Sequence, residues 1–401
     1  MNNRNNGLTL RIISAVMQLL VLTFVIFIYV NTKEIKKKLN ETYTATVEPV
    51  TSFNNTAEDM LKKMTLDEKI YQMFFVTPEL LTDVGNVVQA GEATKKALEE
   101  RPVGGIIYFS ANIKNKKQVM DMIGNTQKYS KTPLFIGVDE EGGRVARISG
   151  NNELGFEKIP AMSVIGETND PKKSYAVGET IASNIKALGF NVNFAPVADI
   201  ITNPNNKEIG DRAFGNDPKI TALMVEQQVL GLQENGVSAA VKHFPGHGST
   251  QANSHDGYSE SLRTLDEFRL VEFEPFKAGI NAGTDFVLVS HMSAVNVDTS
   301  GLPASLSKKI ITDILKSELG FEKLVVTDSL SMGAITTKYS AGEAAILAIE
   351  AGVDILLIPK DIKDAFNSIK EAVSTGKLTE KRIDESVLKI LQVKKERGII
   401  K

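Results

Sequence analysis

The stretch Gly236-Val237-Ser238-Ala239-Ala240-Val241-Lys242-His243-Phe244-Pro245-Gly246-His247-Gly248 shows how this chain is built. Its run of small and β-branched residues predicts a buried strand, and the Pro-Gly and His-Gly pairs after it predict a loop. Three of the four histidines lie between Lys242 and His255. Because functional side chains concentrate where a rigid strand passes into a loop, this strand end is a candidate reaction centre.

Seven further apolar runs repeat this pattern, so the predicted strands are 70–77, 105–109, 134–138, 190–196, 239–243, 286–291, 324–328 and 355–359. The helical patterns between and after them cover 116–129, 172–188, 219–234, 265–282, 307–319, 342–351 and 380–397. This alternation predicts an α/β fold with a parallel sheet. Eight units favour a single (β/α)₈ TIM-type barrel over an open doubly wound sheet, since no glycine-rich nucleotide turn follows the first predicted strand.

The amino-terminal region divides into a tail (1–11), an apolar segment (12–30) and a polar linker (31–55) ahead of the barrel domain (56–401). Residues 12–30 carry no charge, and as a helix they would rise about 28 Å, enough to cross a bilayer. A signal peptide has a shorter apolar region and a small-residue cleavage site, so we expect an uncleaved transmembrane anchor.

The orientation of this anchor is open. Arg4 and Arg11 precede the apolar segment and four lysines follow it, a count that favours a cytoplasmic barrel. The opposite orientation places the barrel domain outside the cell, attached to the cell membrane by a single span.

Composition narrows the chemistry. The formal net charge is −3 with acidic and basic residues interspersed, so nucleic acid is not an expected partner. The chain has no cysteine, which excludes disulfides, thiolate nucleophiles and cysteine-ligated metals.

Polar residues follow five of the predicted strands, where a barrel enzyme places its active site. Asp328 ends an apolar strand and is a candidate nucleophile, or else the cap of the next helix. Asp139 and Arg147 flank a Gly-Gly pair, which suits binding of vicinal sugar hydroxyls or of an anion, or else a structural ion pair at the base of a loop. His291 is a site residue or a hydrogen-bonded core residue.

The histidines of residues 242–255 are candidate metal ligands or an acid/base loop. No Asp or Glu lies at zinc-like spacing from them, so acid/base chemistry is the favoured interpretation, and no metal is expected.

Four motifs resemble glycoside hydrolase family 3, in its bacterial β-N-acetylglucosaminidase branch, over about residues 57–397. They are Val138-Asp139-Glu140-Glu141-Gly142-Gly143-Arg144-Val145-Ala146-Arg147, Asn193-Phe194-Ala195-Pro196-Val197-Ala198-Asp199, the loop from Lys242 to Gly248, and Val326-Thr327-Asp328-Ser329-Leu330-Ser331-Met332. A fifth segment, Gly210-Asp211-Arg212-Ala213-Phe214-Gly215, is similar to the family as well.

The resemblance implies a retaining mechanism with Asp328 as the nucleophile that forms a covalent glycosyl-enzyme, and it implies no metal or organic cofactor. It implies sugar binding by Asp139, Arg147, Arg212, Lys242 and His243. The acid/base position corresponds to His255, and the position that orients it, where the family has an aspartate, is Asn253. Asparagine can accept a hydrogen bond from imidazole but lacks the charge that stabilises imidazolium; neighbouring Asp256 is an alternative source of that charge.

We therefore expect a membrane-anchored exo-β-N-acetylhexosaminidase that releases terminal N-acetylglucosamine from peptidoglycan-derived glycans. Such a cell-wall substrate favours the extracellular orientation of the catalytic domain. Two other hypotheses stay open. The first is a β-N-acetylglucosaminide phosphorylase, and the second is a weakly active protein that binds wall glycans, because Asn253 replaces the expected acid.

Overall fold

The computed structural model describes residues 56–250 and 259–401. The predicted anchor and the segment that contains Asn253, His255 and Asp256 lie outside these residues. Among the helices of the two described ranges, none combines the length and the apolar content that crossing a bilayer requires.

The described ranges contain twelve strands: β1 (Phe74–Val76), β2 (Gly105–Ile107), β3 (Phe135–Val138), β4 (Glu140–Gly142), β5 (Val145–Ala146), β6 (Val192–Asn193), β7 (Ser238–Phe244), β8 (Glu260–Ser261), β9 (Phe286–Val289), β10 (Ser293–Ala294), β11 (Leu324–Thr327) and β12 (Leu356–Leu357). Eight of them form one parallel sheet in the order β11-β9-β7-β6-β3-β2-β1-β12. A parallel bridge from Val326 to Ile355 joins its two end strands. The result is the nearly closed eight-stranded barrel that the alternating pattern predicts.

Helices surround the barrel: α1 (Ala57–Lys63), α2 (Leu66–Gln72), α3 (Pro78–Thr82), α4 (Glu92–Glu100), α5 (Lys116–Tyr129), α6 (Met162–Gly166), α7 (Pro171–Ala187), α8 (Pro218–Glu234), α9 (Leu265–Leu270), α10 (Phe273–Asn281), the π-type α11 (Lys309–Glu318), α12 (Gly333–Thr336), α13 (Ala341–Ala351), α14 (Ile362–Ser374) and α15 (Glu380–Glu396).

Two sequence predictions need correction. The segment 70–77 is not one strand, because α2 continues through Gln72 and only Phe74–Val76 is extended. The side chain of Thr65 caps α2 in a capping box with Glu68, a local signal that outweighs the apolar run beyond it. The helix predicted over 265–282 is two helices, since Val271 leaves helical backbone geometry between α9 and α10.

Side-chain capping starts the two long helices that pack beside β6 and β7. Asp170 and Asp217 are their N-caps, each followed by a proline at the first helical position. Proline loses nothing there because that backbone position has no helical acceptor for an N–H, and the aspartate accepts the N–H groups that follow. The two helices pack against each other, and α8 also packs against β7, the strand that carries Lys242 and His243.

Aromatic side chains fill the barrel interior, and glycines make room for them. The ring of Phe75 lies 5.3 Å from that of Phe194 in an edge-to-face pair. A Cβ atom at Gly105 or Gly137 would come within 2.8 Å of the Phe75 ring, so neither position accepts a larger residue without repacking. The interior is therefore a packed core that supports the site above it.

Candidate active site

A cavity of about 760 Å³ opens at the carboxyl ends of the barrel strands. Its lining includes six of the residues that the sequence predicts for the site: Asp139, Arg147, Arg212, Lys242, His243 and Asp328. Phe109, Phe194, Leu357 and Ile358 supply apolar surface in the same wall. Polar groups that converge on a partly apolar pocket of this size are typical of a small-molecule site.

Asp328 directly follows β11, and its backbone N–H donates to the carbonyl of Val289. One carboxylate oxygen accepts a hydrogen bond of 2.7 Å from the backbone N–H of Ser329. The next helix, α12, begins after Met332 and has no side-chain cap, so the interpretation of Asp328 as a helix cap is wrong. The side chain faces the cavity instead.

The charge state of Asp328 suits a nucleophile. Burial alone would raise the pKa of its carboxyl group, but His291 and Lys242, together with the Ser329 N–H, lower this pKa below its ordinary value. The carboxylate is consequently ionised at neutral pH, which is the form that attacks an electrophilic carbon.

A buried ion cluster lies beside Asp328. The ammonium group of Lys242 is 2.9 Å from Asp139 and 2.6 Å from Glu141. The guanidinium of Arg212 binds both oxygens of Glu141 at 2.8 Å. Burial raises the pKa of Glu141, but Lys242 and Arg212 more than offset this and hold the pKa well below its usual range. Glu141 thus fixes two cavity-lining cations in place.

Asp139 forms its ion pair with Lys242 and not with Arg147, so the proposed Asp139–Arg147 pair is not present. Arg147 lies with its guanidinium 5.9 Å from the centre of the Phe109 ring. Its buried Nε has no hydrogen-bond partner among the described residues. The side chain lines the cavity, where it can donate to a ligand.

Hydrogen bonds define the role of His243. Its Nδ1 is 2.6 Å from a carboxylate oxygen of Asp199, and its Nε2 is 3.2 Å from an N–H group of Arg212. Guanidinium only donates, so Nε2 accepts and Nδ1 carries the proton towards Asp199. This neutral imidazole positions the Arg212 side chain and has no proton to give to a substrate.

The other two described histidines are buried. His247 donates its backbone N–H to Asp199, and its Nδ1 lies 2.9 Å from the hydroxyl of Thr250. The ring nitrogens of His291 lie 2.7 Å from the hydroxyl of Ser305 and 2.8 Å from the carbonyl of Ser329. His291 is only 1% exposed and is not part of the cavity lining, which fits the core interpretation.

The predicted acid/base residue His255 and its partner position Asn253 lie outside the described residues. In residues 56–250 and 259–401, no three His, Asp or Glu side chains converge in a group that could hold a metal ion.

Sequence reasoning left three carboxylates out of the site. Glu141 could have been found, because it lies in the same motif as Asp139. Asp199 ends the fourth predicted strand, where its pairing with His243 could have been anticipated. Glu208 also lines the cavity, but it lies in a loop without a pattern that indicates its direction.

An ionised aspartate above a polar cavity at the carboxyl rim of an eight-stranded barrel is the arrangement of an enzyme active site. The profile described as "Glycosyl hydrolase family 3 N terminal domain" matches residues 65–393. The chain belongs to glycosyl hydrolase family 3.

Two curated relatives are similar over most of this chain. "Beta-hexosaminidase" of Stenotrophomonas maltophilia (strain R551-3) is 34% identical over 284 residues, 68% of this chain and 82% of the relative. "Beta-hexosaminidase A" of Pseudoalteromonas piscicida is 34% identical over 321 residues, which are 73% of this chain. The chain spans about half of the length of this second relative, 53%.

Solved structures agree with the family. The glycoside hydrolase family 3 β-N-acetylglucosaminidase from Paenibacillus sp. str. FPU-7 superimposes with a TM-score of 0.79 at 36% identity, covering 84% of this chain and 63% of that chain. A structure described as "Beta-glucoside phosphorylase BglX bound to 2FGlc" has a TM-score of 0.76 at 25% identity, covering 88% of this chain and 63% of that chain.

Proposed function

We propose that the protein is a retaining exo-β-N-acetylhexosaminidase that hydrolyses terminal N-acetylglucosamine from peptidoglycan-derived glycans. One observation carries this proposal: the ionised carboxylate of Asp328 faces a cavity of about 760 Å³ whose wall holds Lys242, Arg212 and Asp139. The names of the two relatives, and the β-N-acetylglucosaminidase among the solved structures, support the choice of sugar.

The first chemical step forms a bond between a carboxylate oxygen of Asp328 and the anomeric carbon of the sugar. The bond from that carbon to the leaving oxygen breaks, and the imidazolium of His255 supplies the proton that this oxygen needs. In the second step the neutral imidazole takes a proton from water as the water attacks the same carbon and releases Asp328. Each of the two steps inverts the configuration at the anomeric carbon, so the product retains the configuration of the substrate.

The ion cluster binds the sugar ring in this mechanism. Lys242, Arg212 and Arg147 present N–H donors to hydroxyl oxygens, and Asp139 accepts hydroxyl hydrogens. The Lys242–Asp139 contact pre-forms part of this array, so little rearrangement is needed when sugar binds.

The setting is part of the proposal. The uncharged segment 12–30 acts as a single-span anchor in the cell membrane, and the linker 31–55 holds the barrel on the outer side, where wall glycans are found. Labelling of a substituted cysteine in the linker of intact cells by an impermeant maleimide tests this topology; labelling only after lysis would contradict it.

The enzymatic proposal is tested by turnover of nitrophenyl N-acetylglucosaminide by the full-length protein. Asp328→Ala should lower kcat by at least about 10⁴-fold, because no other group replaces a missing nucleophile. The matched control is Asp313→Ala, which removes an exposed aspartate on α11 and should leave kcat unchanged. Equal rates for the Asp328→Ala variant and the parent protein would refute the assignment.

A fluorinated N-acetylglucosaminide analogue gives a second test, since it slows the second step and traps the covalent intermediate. Mass spectrometry of the digested protein should find the label on Asp328. A label on another residue would show that Asp328 is not the nucleophile.

The phosphorylase is the second candidate, favoured by Asn253 and by the structural similarity to a β-glucoside phosphorylase. Phosphate, itself an anion, then attacks the glycosyl-enzyme without needing a base. If the rate rises with phosphate concentration and the product is a sugar 1-phosphate, the protein is a phosphorylase and the hydrolase assignment is wrong.

A further inference from the structure

The cavity above the barrel has a polar half and an apolar half. Around the sheet, β11 and β3 lie opposite each other, so Asp328 and Asp139, which follow these strands, lie on opposite sides of the rim. On one side between them, β7 carries Lys242 and His243, and the loop after β6 adds Arg212. The other side is formed by the ends of β12, β1 and β2.

The apolar half offers a ligand C–H surface and few hydrogen bonds. Its cavity-lining residues are Leu357, Ile358, Thr77, Ile107 and Phe109. Thr77 is the one polar side chain in this set, and its hydroxyl already caps α3 by accepting the backbone N–H of Leu80 at 3.1 Å. None of the five carries a charge, so this wall differs in kind from the ion cluster that it faces.

Ile358 in this wall has a strained backbone. Its φ is +44°, in the left-handed region that a β-branched residue rarely adopts. The other described non-glycine residues with positive φ are Asp83, Asn86 and Asn169, whose short polar side chains tolerate this region. The backbone N–H of Ile358 donates to the carbonyl of Phe75 at 2.8 Å, which ties the strained residue to β1. Strain of this kind concentrates at functional sites.

The side chain of Ile358 is the reason to look for a function here. Glycine would adopt this φ without strain, so an isoleucine indicates that the side chain itself is used. Ile358 is partly exposed at the cavity, although Leu357 and Pro359 on either side of it are buried. The backbone N–H of Leu330, two residues after Asp328, donates to the carbonyl of Leu357 at 2.9 Å and brings Ile358 beside the loop of the nucleophile.

A sugar ring has the same two-sided character as the cavity. C1 and C4 lie opposite each other, C2 and C3 carry the acetamido and hydroxyl groups on one side, and C5 and C6 form a more apolar edge on the other. With C1 at Asp328, C4 points towards Asp139 on the opposite side of the rim. The C2–C3 side then meets the donors of Lys242 and Arg212, and the C5–C6 edge meets the apolar half.

We propose that Ile358 is a specificity-determining residue that contacts the C5–C6 edge of the sugar, so that the site selects N-acetylhexosaminides over N-acetylpentosaminides, which lack C6. This inference rests on the proposed function, in which Asp328 bonds to C1. Phe109 completes the contact from the β2 end of the same wall. In an apolar pocket, the loss of one carbon from the substrate lowers kcat/KM by about 10-fold or more.

Two substrates that differ only at C6 test the inference on the full-length protein: nitrophenyl N-acetyl-β-glucosaminide and nitrophenyl 2-acetamido-2-deoxy-β-xylopyranoside. The parent should cleave the hexoside with a kcat/KM at least about 10-fold higher. Ile358→Ala should lower kcat/KM by about 10-fold for the hexoside and by less than about 2-fold for the pentoside, which lacks the carbon that Ile358 contacts. The matched control Leu223→Ala, at an exposed position of α8, should leave both values unchanged.

A second variant separates the side-chain contact from the backbone strain. Ile358→Gly removes the side chain and adopts the positive φ freely, so it should melt at a higher temperature than Ile358→Ala and lose the same hexoside preference. If Ile358→Ala does not fold, Ile358→Gly and Ile358→Val decide, with the smaller loss in Ile358→Val. Equal losses on the two substrates, as expected if the acetamido group lies against Ile358, overturn the inference. No loss on either substrate, or a parent that cleaves both equally well, overturns it too.

Covalent trapping separates this inference from the proposed function. If the fluorinated analogue labels Asp328 in the parent and Ile358→Ala affects the two substrates alike, only the role of Ile358 fails. If the analogue labels no residue and the parent cleaves neither substrate, the proposed function fails and this inference falls with it.

Discussion

The barrel buries a lysine at each end, and the two lie in opposite surroundings. Lys242, at the carboxyl end, is within 3 Å of the carboxylates of Asp139 and Glu141. Lys394, at the amino end, is fully buried, with its ammonium nitrogen 2.9 Å from the amide oxygen of Gln72 and 5.1 Å from the centre of the Phe135 ring. Neither residue can be understood from its burial alone.

Their pKa values differ accordingly. Burial lowers the pKa of Lys242, but Asp139 and Glu141 raise it above its ordinary value, so this ammonium stays charged. Burial lowers the pKa of Lys394 to about 7, and no carboxylate opposes the effect. At the carboxyl end of the barrel, nearby carboxylates thus keep a buried lysine charged. At the amino end, a buried lysine without such partners becomes neutral near pH 7.

The largest effect is expected from Lys242→Met. This change removes the cation that Glu141 and Asp139 share: Glu141 keeps Arg212, but Asp139 loses its ion-pair partner. Removing one partner of a buried ion pair costs about 3–5 kcal/mol of unfolding free energy. Urea unfolding at pH 7 measures this loss, and turnover of nitrophenyl N-acetylglucosaminide should fall with it. A loss below about 1 kcal/mol would show that Arg212 alone neutralises Glu141.

Lys394→Met should behave differently and depend on pH. Because the pKa of Lys394 is about 7 in the fold and near 10.4 in the unfolded chain, the unfolded state binds more protons between these values. The parent protein's stability therefore rises from about pH 7 to about pH 10, and the burial penalty is fully present below pH 7. Methionine removes that penalty but leaves the Gln72 oxygen without its donor.

Consequently Lys394→Met should be more stable than the parent at pH 6, and this advantage should shrink by about 2–3 kcal/mol by pH 9, because one pKa unit corresponds to about 1.4 kcal/mol. Urea unfolding of both proteins at the two pH values measures this change. A stability difference that is the same at pH 6 and pH 9 would mean that Lys394 is not neutral in the fold. Gln72→Leu is the control, because it removes the acceptor and keeps the lysine.

The sequence predicts the barrel strands well where a single hydrophobic pattern extends over the whole segment. The strands ending at Val138, Phe244 and Thr327 were found because buried parallel strands are continuous apolar runs. The strand predicted over 70–77 was wrong because its apolar residues belong to the end of a helix and a three-residue strand. The capping box at Thr65 starts that helix, and Met73 is its C-cap.

The site was predictable where side chains follow strands directly, as for Asp328, Lys242 and His243. The contacts between these side chains and their partners were less predictable. The loop that carries Arg212 and Glu208 reaches the ends of β3 and β7 by a path that no local sequence pattern specifies. The Lys242 partnership with Glu141 joins residues about 100 positions apart. Lys394 was expected only as part of the closing helix, because its burial depends on packing under the barrel.

The smallest effect on the unfolding free energy is expected from replacing an exposed lysine, which serves as the reference for the two buried ones. Lys117 on α5 pairs with Asp121 one turn later, and its side chain is 85% exposed. Solvent screens such a pair, so Lys117→Ala should change the unfolding free energy by no more than about 0.5 kcal/mol at any pH between 6 and 9. A larger or pH-dependent change would mean that charge on the outer helices matters as much as charge in the barrel. A small constant change, set against those at Lys242 and Lys394, would show that a lysine's contribution depends on which groups share its desolvated surroundings.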